Sequence, residues 1–177
     1  LYSYSIFSQE KKICGTNERL EIYQRSNTEY ADEFELLERN IQKWIDKNPK
    51  SNSITIPVVV HVIYKENSEN ISDSQIHSQI EALNKDFRRM NLDANNTPSD
   101  FLPFAADMQI EFCLAKRYLG NPTNGIVRKQ TNHDNFQLYS DSIFYTSNGG
   151  SNAWNTHRYL NIWVCNIAGN VMGWAQF

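Results

Sequence analysis

Apolar residues fall along this chain in two rhythms. In ADEFELLERNIQKWIDKNPK, Phe34, Leu37, Ile41, Trp44 and Ile45 stand at helical spacing, with acidic residues early, Lys47 late and Asn48-Pro49 closing the run. That spacing predicts an amphipathic helix. ITIPVVVHVIY, Ile54 to Tyr64, is instead β-branched and apolar at consecutive positions, the composition of a strand covered on both faces of a sheet. The helical rhythm returns in SENISDSQIHSQIEALNKDFRRMN. Ser72, with Gln75 three residues on, makes a capping-box pattern, and Ile76, Ile80, Leu83 and Phe87 line one face. A strand followed by a long amphipathic helix predicts a β-α-β unit.

Further along, DMQIEFCLAKR, Asp107 to Arg117, reads as a strand with polar residues at intervals, near a sheet edge. Tyr118 to Trp154 is punctuated by NPTNG, NHDN and SNGGSN and reads as loop. RYLNIWVCNI has strong β propensity, and after the turn AGN the closing VMGWAQF reads as the return arm of a hairpin, antiparallel to its neighbour. Residues 10 to 30 are polar, with CGTNE their only feature, and the turn-rich stretch at 48 to 53 separates a helical leader from the rest. The fold class expected is α/β: a mostly parallel, twisted sheet with helices packed on it and one antiparallel edge strand, preceded by that leader.

Composition narrows the function classes. With 177 residues, 40% apolar and 21% charged, the chain can bury a core. A net charge of −3 with no basic stripe argues against nucleic acid as a partner. No apolar run approaches the ~20 residues of a membrane span. LYSYSIFSQEKK reads as the end of a secretory signal cut near Ser8 to Glu10, so residues 1–9 are assigned to a truncated signal peptide and the protein to the extracellular space. Three cysteines, Cys14, Cys113 and Cys165, cannot all pair. Cys113 and Cys165 are either buried thiols or one bridge, and Cys14 is left over.

The chain shows no catalytic motif of its own. The four histidines, His61, His77, His133 and His157, include no pair three to five residues apart, so H-E-x-x-H is absent. His61, inside the apolar strand, reads as a hydrogen-bonded core imidazole; the other three read as surface residues. There is no G-x-S-x-G and no Gly-rich phosphate loop. A thiol hydrolase built on Cys165 and His157 fails because a thiol amid bulky apolar residues is unreactive.

Four segments, IPVVVHVIY, SDSQIHSQIEALNKDF, NGIVRK and YLNIWVCNIAGNVMGWAQF, resemble in order the secreted bacterial zinc metalloproteases of the pappalysin family of metzincins. The resemblance spans roughly residues 54–177. It implies that these residues are the N-terminal half of a metalloprotease catalytic domain, interrupted before the zinc-binding helix, so that no catalytic residue lies on this chain. It implies zinc as cofactor, with ligands beyond Phe177, and allows calcium as a further ion. Protein or peptide substrates would add as a strand to a rim formed by Val171, Met172, Gly173, Trp174 and Ala175, with Gly173 permitting close backbone approach. Residues 10–53 become a propeptide-like leader. In it Cys14, beside Gly15, resembles a cysteine switch whose sulfur fills the open position of a catalytic zinc. An activating cut would then fall between Cys14 and the first strand, with Arg25, Lys47 and Lys50 as plausible positions. The expected function is that of an N-terminal fragment of a secreted zinc endopeptidase made as a latent zymogen, itself inactive. The alternative, from another class, is a secreted, non-catalytic α/β binding or adhesion module that uses its exposed edge strand.

Overall fold

The structure, a computed structural model, describes residues 13–26, 28–47 and 53–175. In chain order the elements are β1 (Ile13–Cys14), α1 (Thr16–Ser26), α2 (Thr28–Lys47), β2 (Ile54–Tyr64), α3 (Asp73–Phe87), β3 (Ile110–Leu114), β4 (Arg117–Tyr118), β5 (Asn121–Pro122), β6 (Ile126–Gln130), β7 (Leu160–Val164) and β8 (Val171–Gly173). The signal-peptide remnant expected at residues 1–9 lies outside the described residues, as does most of the expected boundary at 48–53. No helix among the described residues is long and apolar enough to cross a membrane.

The β-branched strand is the spine. β2 pairs in parallel with β3 through Ile54–Val58, with β7 through Val58–Val62 and with β6 through Val60–Tyr64. Val58 faces both Leu114 and Leu160, and Val60 faces both Ile126 and Ile162. β7 therefore takes one edge of β2, while β3 and β6 lie end to end along the other. Between them the chain leaves at Ala115, whose N–H donates to the Val58 carbonyl at 2.8 Å, makes the antiparallel pair β4–β5, and returns at Gly125. Gly125 has φ 73°, and a Cβ there would stand 2.7 Å from the Ala115 nitrogen, so the return is open only to glycine.

Alternation along β2 explains why its sequence is apolar at every step. Val58, Val60 and Val62 pack with Ile76 and Ile80 of α3 and with Phe112. On the opposite face Val59 meets Ala115 and Trp154, and Ile63 meets Phe136 and Ile143. Each such side chain contributes roughly 1.5–3 kcal/mol when fully buried. α3 starts where the capping pattern places it: the Gln75 N–H donates to Ser72 Oγ at 3.2 Å, and the Ser72 N–H donates to Gln75 Oε1 at 3.1 Å. Asn84 then bonds both the N–H and the carbonyl of Phe112, tying α3 to the outer edge of β3.

Four sequence expectations change. The closing hairpin does not form. After β7, residues 166–168 run beside Phe136, with the Phe136 N–H donating to the Asn166 carbonyl at 2.9 Å and the Ala168 N–H to the Phe136 carbonyl at 3.0 Å. A nonlocal partner with a fully buried ring outcompetes the local turn, and β8 pairs instead, in parallel, with β1. The antiparallel pair of this fold is β4–β5. Within the expected loop, IVRKQ is a sheet strand, its polar positions those of an edge. The polar stretch around CGTNE is the helix α1, whose one buried side chain is Arg19. α2 forms over the expected span, yet Leu37 and Ile41 of its expected apolar face are exposed.

Candidate functional site

The segment expected to bind substrate is already bonded to the leader. β8 is carried beyond the sheet by the bridge at Phe136, and Trp174, just after it, packs on the cluster of Ile63, Phe136 and Ile143. Its open edge receives β1 in register Ile13↔Val171 and Cys14↔Gly173. The Ile13 N–H donates to the Asn170 carbonyl at 2.7 Å and the Gly15 N–H to the Gly173 carbonyl at 2.9 Å. One step on, the Ala175 N–H donates to Thr16 Oγ1 at 3.0 Å. Main-chain strand addition is the way a peptide binds a sheet edge, and here residues of the same chain occupy that edge.

The rim residues divide by role. Val171 and Gly173 pair with β1, Ala175 with Thr16, and Trp174 faces the core. Met172, at the register irregularity, is 66% exposed. Gly173 does not need to be glycine for the leader's sake, because a Cβ there would meet nothing within 4 Å. The close approach falls on Gly15 instead, where a Cβ would stand 2.8 Å from a Leu138 methyl and 3.0 Å from a Val171 methyl.

Cys14 is exposed, with Sγ 3.2 Å from Thr16 Oγ1. Since Thr16 Oγ1 already accepts from Ala175, its own proton is available to the sulfur. Hydrogen bonding from the Thr16 side chain and then its backbone holds the Cys14 thiol below the ordinary thiol range, favouring thiolate. Cys165 is the opposite case: burial and the Glu69 charge push its thiol up to about 12. Cys113, in β3, and Cys165, just after β7, carry free thiols, and those two strands lie on opposite edges of β2. Among the described residues no group of three His, Cys, Asp or Glu converges to hold a metal ion. The sulfur of Cys14 is thus a single exposed ligand, and the described residues do not build a metal centre around it.

Arg19 fastens the leader to the rest. Its side chain, 4% exposed, donates to the Leu138 carbonyl and to the Asp141 carboxylate. The guanidinium carbon lies 5.3 Å from the Tyr23 ring centroid and 5.7 Å from that of Trp174. Next to it the Tyr139 hydroxyl donates to Glu18, and that hydrogen bond, ahead of desolvation and the Glu18 charge, raises the phenol's proton affinity. A charged residue in a polar stretch is ordinarily exposed, so the sequence carries no signal for a buried Arg19.

The histidines are structural or superficial. His61 is fully buried, stacked on Trp163 with centroids 4.9 Å apart. Its Nδ1 is 2.8 Å from Ser151 Oγ and its Nε2 3.1 Å from Asn161 Oδ1. Asn161 donates through Nδ2 to the carbonyls of Trp154 and Tyr159, so its Oδ1 accepts, Nε2 carries the proton and Nδ1 accepts from Ser151. Burial holds the ring below the ordinary histidine range, hence neutral. His77, His133 and His157 are exposed.

Three solved structures resemble this chain. Mirolysin in complex with compound 9 is 55% identical over 72% of this chain and 47% of its own, with a TM-score of 0.69. Tannerella forsythia mature mirolysin in complex with a cleaved peptide is 54% identical over 72% of this chain and 48% of its own, with a TM-score of 0.70. A mutant of Tannerella forsythia promirolysin is 44% identical over 94% of this chain and 54% of its own, with a TM-score of 0.75. No family model matches the sequence. Comparison with curated proteins likewise gives no match. The chain spans about half the length of these structural relatives. With their shared fold and that level of identity, the chain belongs with mirolysin in the pappalysin family of metzincins and covers the N-terminal region.

Proposed function

We propose that this chain is the leader and the first half of the catalytic domain of a secreted, zinc-dependent endopeptidase, held latent by the leader lying where peptide substrates bind. The observation that carries this reading is the pairing of Ile13–Cys14 with Val171–Gly173, extended by the bond from Ala175 to Thr16. A second observation supports it. The matched share of this chain is 72% against mature mirolysin and 94% against promirolysin, so the extra match falls on a pro form. On this reading residues 1–9 end a signal peptide, residues 10–53 form the propeptide, and residues 54–177 are catalytic-domain sequence.

Val171 and Gly173 would offer their backbone to a peptide, and Met172 its exposed side chain, once the leader departs. Zinc, when bound, polarises the scissile carbonyl and activates water. Its protein ligands other than Cys14 would be supplied outside this chain, and calcium remains a proposed second ion. Cys14, biased to thiolate, is the residue here suited to take a soft-metal position and keep it closed. The 177-residue chain alone is then expected to hydrolyse nothing. The binding-module alternative needs a free edge strand, and that edge is occupied here.

The test uses the full-length natural protein purified with its leader. The expected result is chelator-sensitive cleavage of peptides that is low in the wild type and raised ~10-fold or more in Cys14→Ser, since one metal–sulfur contact is removed. A full-length protein without chelator-sensitive peptidase activity, or an active mature form still beginning before Cys14, contradicts the reading.

A further inference from the structure

A small cleft opens at the N-terminal ends of β2 and β7, between Thr55–Pro57 and Thr156–Leu160, with a volume of about 370 Å³. That is the scale of a site for one small organic group. The charged or titratable side chains at its mouth include His157 and Arg158, both exposed, and no carboxylate lines it. Arg158 stands apart from the other arginines. Of the eight in the sequence, the other seven each donate a side-chain N–H to a protein oxygen. The Arg158 guanidinium has no partner among the described residues.

The turn that carries Arg158 is nevertheless fixed. The Asn155 carbonyl accepts from the N–H groups of Arg158 and Tyr159, each at 3.0 Å, and Asn155 Oδ1 accepts from the His157 N–H at 2.9 Å. The Tyr159 hydroxyl donates to the Arg117 carbonyl at 2.8 Å. The opposite wall is an unpaired strand edge. The Ile54 N–H donates to the Gln109 carbonyl at 2.8 Å and the Val58 carbonyl accepts from Ala115 at 2.8 Å, so the even-numbered residues of β2 turn their backbone groups toward β3. Thr55 turns its N–H and C=O the other way, toward β7, which begins only opposite Val58. Pro57, next along that edge, has no N–H to leave unpaired. Leu160, 41% exposed, shares the sheet face of the half-buried Ile56, since it pairs with Val58.

An unpaired guanidinium favours a planar anion with two oxygens, which it binds through two parallel hydrogen bonds. An open strand edge accepts the backbone of an extended peptide, and the apolar pair accepts an aliphatic side chain. The last residue of a peptide brings all three groups within so small a volume. We propose that this cleft binds the C-terminal residue of a peptide, with its carboxylate on Arg158, its aliphatic side chain against Ile56 and Leu160, and its amide on the Thr55 backbone. Binding there needs neither metal nor catalysis and is independent of the endopeptidase reading.

Arginine modification by phenylglyoxal, followed residue by residue by mass spectrometry of the full-length natural protein, tests the site. N-Acetyl-leucine at ~10 mM, about ten times the dissociation constant of a fragment of that size, is expected to slow modification of Arg158 ~10-fold. Arg25, exposed and paired only with Glu21, is expected to keep its rate. N-Acetyl-leucinamide, which has no carboxylate, is expected not to protect. Inorganic phosphate, which lacks the side chain, and 4-methylpentanoate, which lacks the amide, are each expected to protect less than ~3-fold at the same concentration. Saturation-transfer signals from the N-acetyl-leucine methyl groups are expected with the wild type and lost in Arg158→Gln, a change at an exposed side chain. No protection by N-acetyl-leucine, equal protection by its amide, or a transfer signal undiminished in Arg158→Gln overturns the site. Phosphate or 4-methylpentanoate protecting as strongly as N-acetyl-leucine overturns the peptide terminus as its ligand.

Discussion

His61 shows how far a single residue can be reasoned from its neighbours. A histidine inside VVVHVIY has to be buried, and a buried imidazole has to be bonded on both nitrogens. Ser151 and Asn161, which do this, lie 90 and 100 residues away, so their identity was not legible. Because burial lowers the ring's proton affinity in the fold, the unfolded chain takes up the proton first as pH falls through 6.5. Stability should therefore decline as pH drops from about 7 toward 5, and His61→Gln should flatten that slope while costing about 2–3 kcal/mol at neutral pH. Denaturant titrations across the pH range check both statements.

The cysteines give a second contrast at this scale. Cys14 is exposed and biased to thiolate, whereas the Cys165 thiol is pushed up to about 12. Alkylation at pH 8, followed by mass spectrometry of the peptides, should label Cys14 at least ~100-fold faster than Cys165, thiolate being the nucleophile. Comparable rates would mean that Cys165 is not enclosed as described.

At the scale of elements, sequence signals held where packing and local chemistry agreed. β2 and α3 formed as expected because the consecutive apolar residues of the one and the capped apolar face of the other need nothing distant to be recognised. β6 was hidden because Arg128 and Lys129 occupy an edge strand, where polar residues carry no strand signal. Arg128 instead bonds Asn70, the Ile71 carbonyl and Asp73, pinning the start of α3. The hairpin failed because the turn after β7 supplied a local signal that the long-range bridge at Phe136 overrode. α1 was hidden for a related reason, having one buried side chain and that one charged. Gly15→Val should loosen the leader without unfolding the sheet, since its added carbons meet Leu138 and Val171 at contact distances already below 3.4 Å. An overpacking cost of about 1–3 kcal/mol is expected, read as faster limited proteolysis between α1 and α2 with little change in the melting of the remainder.

For the whole molecule, the family resemblance points to Val171–Ala175 as a rim and to Cys14 as a switch, but nothing in the sequence says that the two segments meet. Nothing local announces it: the pairing joins residues about 160 positions apart through three backbone-directed bonds, and its fastening residue, Arg19, looks like any surface arginine. The functional reading turns on that meeting, because a leader that covers the rim is what latency requires and a leader that floats free leaves it open. Amide hydrogen exchange on the intact chain measures it directly. The expected result is exchange at Ile13, Gly15 and Ala175 slowed together by ~10-fold or more relative to an unstructured peptide, and restored together when α1 is cut from β1. Exchange at those three amides as fast as in an unstructured peptide would contradict the covered rim and the latency built on it.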